Sequence, residues 1–183
     1  MKTSQAVFDE ISDAGGEPMM WKTGHSLIKC RMKETGAALA GEMSGHIFFA
    51  DRYFGFDDAI YAALRLIEVL EQSGQSLAQL SSRLPKRPNT PEIRLPCAET
   101  DKARVMARVT EWAASLDGVD VATLDGVRVT SDDGWWLLRQ SNTEAVLVAR
   151  CEGVNEAALA RVKESLETAL RAAEYGSAEA AAA

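Results

Sequence analysis

The stretch WWLLRQSNTEAVLVARCEG, residues 135–153, decides how the second half of this 183-residue chain folds. Two apolar runs flank a polar cluster, Arg139-Gln140-Ser141-Asn142-Thr143-Glu144. Short apolar runs rich in β-branched and aromatic residues, bounded by turn residues, read as strands. A plain hairpin needs only a glycine or two at its tip, whereas this tip carries an arginine and three small hydrogen-bonding side chains. Arginine presents a planar fork of donors that matches two phosphate oxygens. Ser141 and Thr143 offer hydroxyl donors, and Asn142 tolerates left-handed torsions that turn successive N–H groups toward one anion. The residues fit either a phosphate cradle between two strands or a polar turn with an exposed arginine.

Outward from this hairpin, the segments DVATLDG and VRVTSDDG add two more strands, with Asp125-Gly126 and Asp133-Gly134 as hairpin signals. EIRLPC reads as a strand, TDKARVMARVTEWAASL as a helix capped by Thr100, and NEAALARVKESLETALRAA as a last helix starting at Asn155. Strand alternation sends one of Trp135 and Trp136 into the core. The expectation for residues 92–175 is an α+β domain, an antiparallel sheet with helices on one face. The low-complexity tail, 176–183, is expected to be disordered.

The first half alternates helix and strand. TSQAVFDEISDAGG is a helix capped by Thr3 or Ser4, PMMWK a strand candidate, HSLIKCRMKETG a helix closed by Gly36, AALAG a small buried strand and HIFFA another. DDAIYAALRLIEVLEQSG is a helix capped by Asp57 or Asp58, with Ile60, Leu64, Ile67 and Leu70 in one stripe. This is an α/β layer unit over residues 1–85. It is a partial one, because a parallel layer has a strand before each helix and this one opens on a helix. Three prolines within SRLPKRPNTPE mark a linker at 86–91.

A net charge of −7 argues against nucleic acid or an anionic membrane as partner. No apolar run is long enough to span a bilayer, and MKTSQAVFDE lacks a signal-peptide core. Cys30, Cys97 and Cys151 are widely spaced and form no CxxC pair, which suits buried reduced thiols and a cytoplasmic location. In GEMSGH, residues 41–46, an extended backbone would point Glu42 and Ser44 to the same side, where a carboxylate and a hydroxyl can hold vicinal sugar hydroxyls. His46 can move a proton near neutral pH. His25 opens a helix, where an anion is favoured, and Lys2 is a lone basic candidate. The plainer alternatives are a tight loop with a solvated glutamate for GEMSGH and a helix-capping or partly buried histidine for His25, and Lys2 is equally ambiguous by itself. Asp57-Asp58 reads as a cap rather than a metal site, since no third oxygen ligand is spaced to complete one.

The segments WKTGHSLIKCRMKETGAALAGEMSGHIFF and DGVRV…DDGWWLLRQSNTEAVLVARCEG, in this order, resemble the bacterial phosphomannomutase/phosphoglucomutase branch of the α-D-phosphohexomutases. The resemblance runs from Lys2 to about residue 173 and covers most of domain three and domain four of a four-domain family. It implies that domain four is TATA-box-binding-protein-like in fold. It also implies an isomerase of carbohydrate metabolism that interconverts hexose 1- and 6-phosphates of mannose and glucose, through a phosphoserine and a bisphosphorylated sugar, with Mg2+ as cofactor. On that resemblance Glu42 and Ser44 hold sugar hydroxyls, and His46, His25 and Lys2 are the catalytic, proton-handling or electrostatic groups. Arg139, Ser141, Asn142 and Thr143 grip the phosphate that is not reacting, and the partners are hexose phosphates and the family's preceding domains. Two departures stand out. Ala145 replaces a usual proline, and the TASHNP serine loop and DGDxDR magnesium loop are absent, so the chain holds no metal ligands and the isolated chain is expected to be inactive. The alternatives are a non-catalytic sugar-phosphate-binding or regulatory module, and a plain structural domain.

Overall fold

The computed structural model describes residues 1–176, and the expected disordered tail falls outside them except for Gly176. The chain divides into two compact units, Met1–Lys86 and Arg87–Ala183.

The first unit contains α1 (Gln5–Asp13), α2 (His25–Thr35), β1 (Leu39–Gly41), β2 (Ile47–Phe49), β3 (Phe56–Asp57), α3 (Ala59–Ser73) and α4 (Leu77–Arg83). Ser4, not Thr3, caps α1 by accepting the Ala6 N–H, and Asp58, not Asp57, caps α3 by accepting the Tyr61 N–H at 2.9 Å. Gly36 ends α2 in the left-handed conformation, as its place after the helix predicts. The three strands form an antiparallel sheet in sequence order, Ala40 opposite Phe48 and Phe49 opposite Phe56, so the alternation of elements here does not produce parallel pairing. PMMWK does not form a strand: it belongs to neither sheet among the described residues. AALAG supplies β1, but Leu39 and Gly41 are exposed rather than buried. The core is small: Ile28, Met32 and Phe48, with Trp21, Ala37 and Ala40 against them. Tyr53 ties the β2–β3 connection to α3 by stacking on Tyr61 at 3.9 Å and donating its hydroxyl to Asp58 at 2.6 Å. The apolar stripe of α3 faces outward, with Ile60 78% and Leu64 58% exposed, because no other layer covers it among the described residues.

The second unit contains β4 (Ile93–Pro96), α5 (Glu99–Ala114), β5 (Asp120–Ala122), β6 (Val127–Ser131), β7 (Gly134–Gln140), β8 (Val146–Gly153) and α6 (Glu156–Ala172). The sheet is antiparallel throughout, in the order β4-β8-β7-β6-β5. Residues 88–90 of the proline-rich segment also lie along β8: Gly153 donates to Pro88 O, Thr90 N–H to Cys151 O, and Cys151 N–H to the Thr90 hydroxyl. Alternate residues of β6, β7 and β8, such as Val129, Trp136, Leu138 and Ala149, meet Val105, Val109, Val162 and Leu166 of the two helices in one core. Each buried side chain of that size contributes about 1.5–3 kcal/mol.

Three sequence expectations need correction. Thr100 does not cap α5: the helix starts a residue earlier, at Glu99, and Ala98 stands at the cap without a side-chain bond. Both tryptophans of β7 are buried, because the sheet face away from the helices is not a bare solvent face. There the Trp135 ring lies 4.0 Å from the Arg128 guanidinium and its indole donates to Glu152. Burial pushes Arg128 down to about 10, against the pull of Glu152. Of the three free thiols Cys97 and Cys151 are buried, but Cys30 is exposed. Burial pushes the Cys151 thiol up to about 12, which makes it an inert packing group.

Candidate functional site

Two loops carry the chemistry-bearing residues, one in each unit. In the second unit, β7 and β8 are joined by residues 141–145. Ser141 N–H donates to Val146 O at 3.1 Å and closes the loop, while the Ser141 hydroxyl oxygen accepts from the N–H groups of Thr143 (3.3 Å) and Glu144 (3.2 Å). The loop is therefore folded around the Ser141 side chain, a local side-chain-to-backbone turn. Asn142 does not adopt the left-handed conformation expected from its tolerance, since the only non-glycine residues with positive φ among those described are Arg52 and Glu174. The N–H groups of Thr143 and Glu144 are turned onto the serine, so the loop is not a nest of the expected kind. Asn142 and Thr143 are exposed.

Arg139 stands at the end of β7, immediately before the loop, on the sheet face away from the helices. Its side chain is only 15% exposed, which removes the alternative of a freely solvated arginine. One guanidinium nitrogen lies 3.5 Å from Asp125, too far for a strong pair, and the Nε group makes no bond. Asp125 belongs to the β5–β6 turn, and its neighbour Gly126 has φ +89°. A Cβ there would fall 2.3 Å from Leu138 O and 2.6 Å from Arg139 Cβ, so the turn must be glycine for the backbone to pass beside Arg139. The second Asp-Gly pair works differently. Ser131 pairs with Gly134, so Asp132-Asp133 are the turn, and Gly134 is needed because β8 passes where its Cβ would be.

Two residues that the sequence reading did not single out complete this loop. Arg94 of β4 pairs with the Glu144 carboxylate, which neutralises an anion beside the loop and raises the Arg94 pKa. Lys102 of α5 reaches up from below: its side chain is 3% exposed, and its ammonium donates to Glu99 Oε1 at 2.6 Å, Ser141 O at 2.9 Å and Glu144 O at 2.5 Å. The sequence does carry its signal, because Lys102 lies in phase with Val105, Met106, Val109 and Ala113, a lysine on the buried stripe of its helix.

In the first unit, residues 42–46 turn back between β1 and β2. Gly45 N–H donates to Glu42 O, and Glu42 N–H to His46 O, both at 2.9 Å. Glu42 and Ser44 thus share a hairpin tip rather than one side of an extended strand. Glu42 Oε1 accepts the Gly24 N–H at 2.8 Å, at the start of α2, which brings it beside His25 in sequence and leaves its second oxygen for a ligand. Ser44 is exposed. His46 Nδ1 lies 2.6 Å from Asp57 Oδ2 across the β2–β3 pairing. A carboxylate only accepts, so Nδ1 carries a hydrogen and Nε2 is the ring nitrogen left to face a ligand. Asp57, read from sequence as a helix cap, is therefore the group that sets the orientation of His46. His25 is exposed, with Nδ1 3.4 Å from the Ser26 hydroxyl, and Lys2 is half-buried beside Met1, whose terminal ammonium donates to Trp21 O. Among the described residues no group of three or more His, Cys, Asp or Glu side chains could hold a metal ion.

A cleft of about 210 Å3 in the second unit, lined by Leu116, Ser131, Trp136 and Arg161, lies at the opposite end of β7 from the loop and is no part of this site.

Residues 1–87 match the family model described as phosphoglucomutase/phosphomannomutase, alpha/beta/alpha domain III, and residues 92–169 match phosphoglucomutase/phosphomannomutase, C-terminal domain. A phosphomannomutase/phosphoglucomutase of Pseudomonas aeruginosa PAO1 is 47% identical over 172 residues, 94% of this chain and 37% of its own length. A phosphoglucomutase of Neisseria meningitidis serogroup A is 40% identical over 171 residues, 93% of this chain and 37% of its own. Among solved structures, a phosphoglucomutase/phosphomannomutase family protein from Burkholderia thailandensis superposes with a TM-score of 0.84 at 44% identity, covering 96% of this chain and 37% of that one. The chain thus spans 37% of the length of these relatives.

Proposed function

The chain belongs to the phosphoglucomutase/phosphomannomutase family, and from that premise we propose that it supplies the sugar- and phosphate-holding loops of a cytoplasmic enzyme that interconverts hexose 1- and 6-phosphates of glucose and mannose. The observation that carries this reading is the β7–β8 loop. Arg139, Ser141, Asn142 and Thr143 stand at one strand end, with a half-paired guanidinium and a hydroxyl-rich turn. A guanidinium with a distant partner and a bare Nε has donors to give to phosphate oxygens. In the first unit the free oxygen of Glu42 and the Ser44 hydroxyl take sugar hydroxyls, and His46, oriented by Asp57, accepts a proton at Nε2. His25 and Lys2 contribute positive or polarisable groups. The serine loop and the DGDxDR loop that the family uses for its phosphoserine donor and its magnesium do not occur in this sequence, so neither role is given to its residues.

The test is an NMR titration of the chain with glucose 6-phosphate and with inorganic phosphate. Binding is expected near millimolar, about 4 kcal/mol. A charge-assisted guanidinium–phosphate bond contributes about 1.5–3 kcal/mol against about 0.5–1.5 kcal/mol for a neutral hydroxyl. Arg139→Ala should then weaken both ligands more than Ser141→Ala does, while Glu42→Ala should weaken the sugar phosphate and spare inorganic phosphate. Unchanged shifts at residues 139–144 in Arg139→Ala would leave the loop a plain turn.

A further inference from the structure

We infer that Lys102 is a positioning residue for anion binding by the β7–β8 loop, acting from beneath it without touching the ligand; this rests on the reading of that loop as phosphate-binding. Burying an ammonium is costly unless every proton finds an acceptor. Lys102 meets that condition in an unusual way. One proton goes to the Glu99 carboxylate, and the other two go to main-chain carbonyls at the two ends of the loop, Ser141 O and Glu144 O. The residue thereby ties the first turn of α5 to both ends of a turn that no other buried side chain supports among the described residues.

The consequence follows from peptide geometry. In a planar trans peptide the C=O and the N–H of the next residue point in opposite directions. Drawing Ser141 O and Glu144 O inward onto Lys102 therefore turns the N–H groups of Asn142 and Ala145 outward. The N–H groups of Thr143 and Glu144 are already held by the Ser141 hydroxyl. Asn142 and Ala145 thus become the outward-facing backbone donors of the loop, both on exposed residues. Lys102 also places a full positive charge behind those dipoles, where water screens it little. Its counter-ion Glu99 is exposed, so the field of Glu99 is screened more than that of the ammonium. A role in stability alone is not enough to explain the residue, because replacing a buried ion pair by an apolar group of similar size is often neutral or stabilising.

The experiment is an inorganic phosphate titration of the 183-residue chain, followed at the amides of residues 139–146, for the wild type, Lys102→Met, Lys102→Arg, Glu99→Gln and Arg139→Ala. Thermal unfolding is measured on each in parallel. Lys102→Met should raise the phosphate Kd by at least about tenfold in the folded protein, the loss of a charge-assisted contact that orders two donors. Lys102→Arg should recover part of that loss. Glu99→Gln should tighten binding by roughly two- to threefold, the size of one screened surface charge. A purely structural lysine would instead lower the unfolding temperature and leave the Kd of the folded protein unchanged. Wild-type affinity in Lys102→Met, with Arg139→Ala weakened, overturns the inference and keeps the loop reading. No phosphate-dependent shift in the wild type, or none lost in Arg139→Ala, overturns both. Should Lys102→Met fail to fold, Glu99→Gln decides: tighter binding supports the inference, and unchanged or weaker binding overturns it.

Discussion

Arg139 owes its position to its neighbours as much as to its own strand. Gly126, across the β6–β7 pairing, lies where any Cβ would meet Leu138 O at 2.3 Å and Arg139 Cβ at 2.6 Å, in a backbone conformation with φ +89°. Alanine there adds the left-handed penalty to a backbone clash that no rotamer relieves, so Gly126→Ala should cost more than about 2 kcal/mol. Because the clash is with Arg139 itself, the same substitution should weaken phosphate binding beyond what lost stability explains. Denaturant midpoints and the phosphate titration, read on one sample, check both. Arg139→Lys should restore little, because an ammonium retains the charge and loses the fork. At this scale the sequence names candidate residues and says little about how they are held. The identities in RQSNTE suggested an anion loop, yet they also suggested an Asn142 nest, and the loop instead folds around the Ser141 hydroxyl. Asp57 looked like a cap because it neighbours Asp58. The register sets Asp57 opposite Phe48, and only the side-chain hydrogen bond shows that its carboxylate reaches His46.

The caps of α6 and α3 were legible from local chemistry, and both are testable. Asn155 accepts the Ala158 N–H at 2.9 Å at the start of α6, and Asn155→Ala should cost about 1 kcal/mol in a chemical-denaturation measurement. Asp58 at the start of α3 gives a pH-dependent counterpart. The Tyr53 hydroxyl first, and the Tyr61 N–H second, hold its carboxyl below the usual carboxylate range. The folded state then binds fewer protons than the unfolded state. The stabilisation is complete above the unfolded value, near about 3.9, and is lost as pH falls through the lower folded value. The stability gap between the wild type and Asp58→Asn should therefore be widest near neutral pH and shrink on acidification below about pH 4. A gap that grows in acid would contradict this assignment. Elements that depend on partners were less legible. PMMWK has strand composition and no strand to pair with, and β3 is two residues long, below any periodic signal. The helix α4 was hidden by the prolines that follow it, although Ser76 and Gln79 form a capping box that announces it. Lys102 shows the reverse case, a functional candidate visible only when a charged residue is asked why it shares a phase with Val105 and Val109.

For the molecule as a whole, the two units differ in how much they bury. The second has a continuous core from Val105 through Trp136 to Leu166, while the first relies on Ile28, Met32 and Phe48 and leaves α3 without a single buried residue. Amide exchange opens where few apolar contacts oppose it. Exchange in residues 1–85 should therefore be faster than in 92–173, with α3 among the least protected helices despite its clean periodicity. Equal protection in both halves would contradict this. The stripe of Ile60, Leu64 and Ile67 is also large, apolar and outward-facing, the kind of patch that drives self-association. Leu64→Lys should accordingly raise the concentration at which the chain stays monomeric in sedimentation, while leaving the phosphate-dependent shifts of residues 139–144 unaltered. The isolated chain is expected to lack mutase activity. Phosphoryl transfer is mostly positioning and electrostatics around a donor, and this sequence carries the two loops proposed to position the substrate without the family's donor serine loop. The purified chain, mixed with glucose 1-phosphate and a hexose bisphosphate, should form no glucose 6-phosphate above a no-protein control. Turnover that co-purifies with the chain and disappears in Arg139→Ala would show that the donor is not needed in the form the family uses, and would require a different phosphoryl acceptor to be sought within these residues.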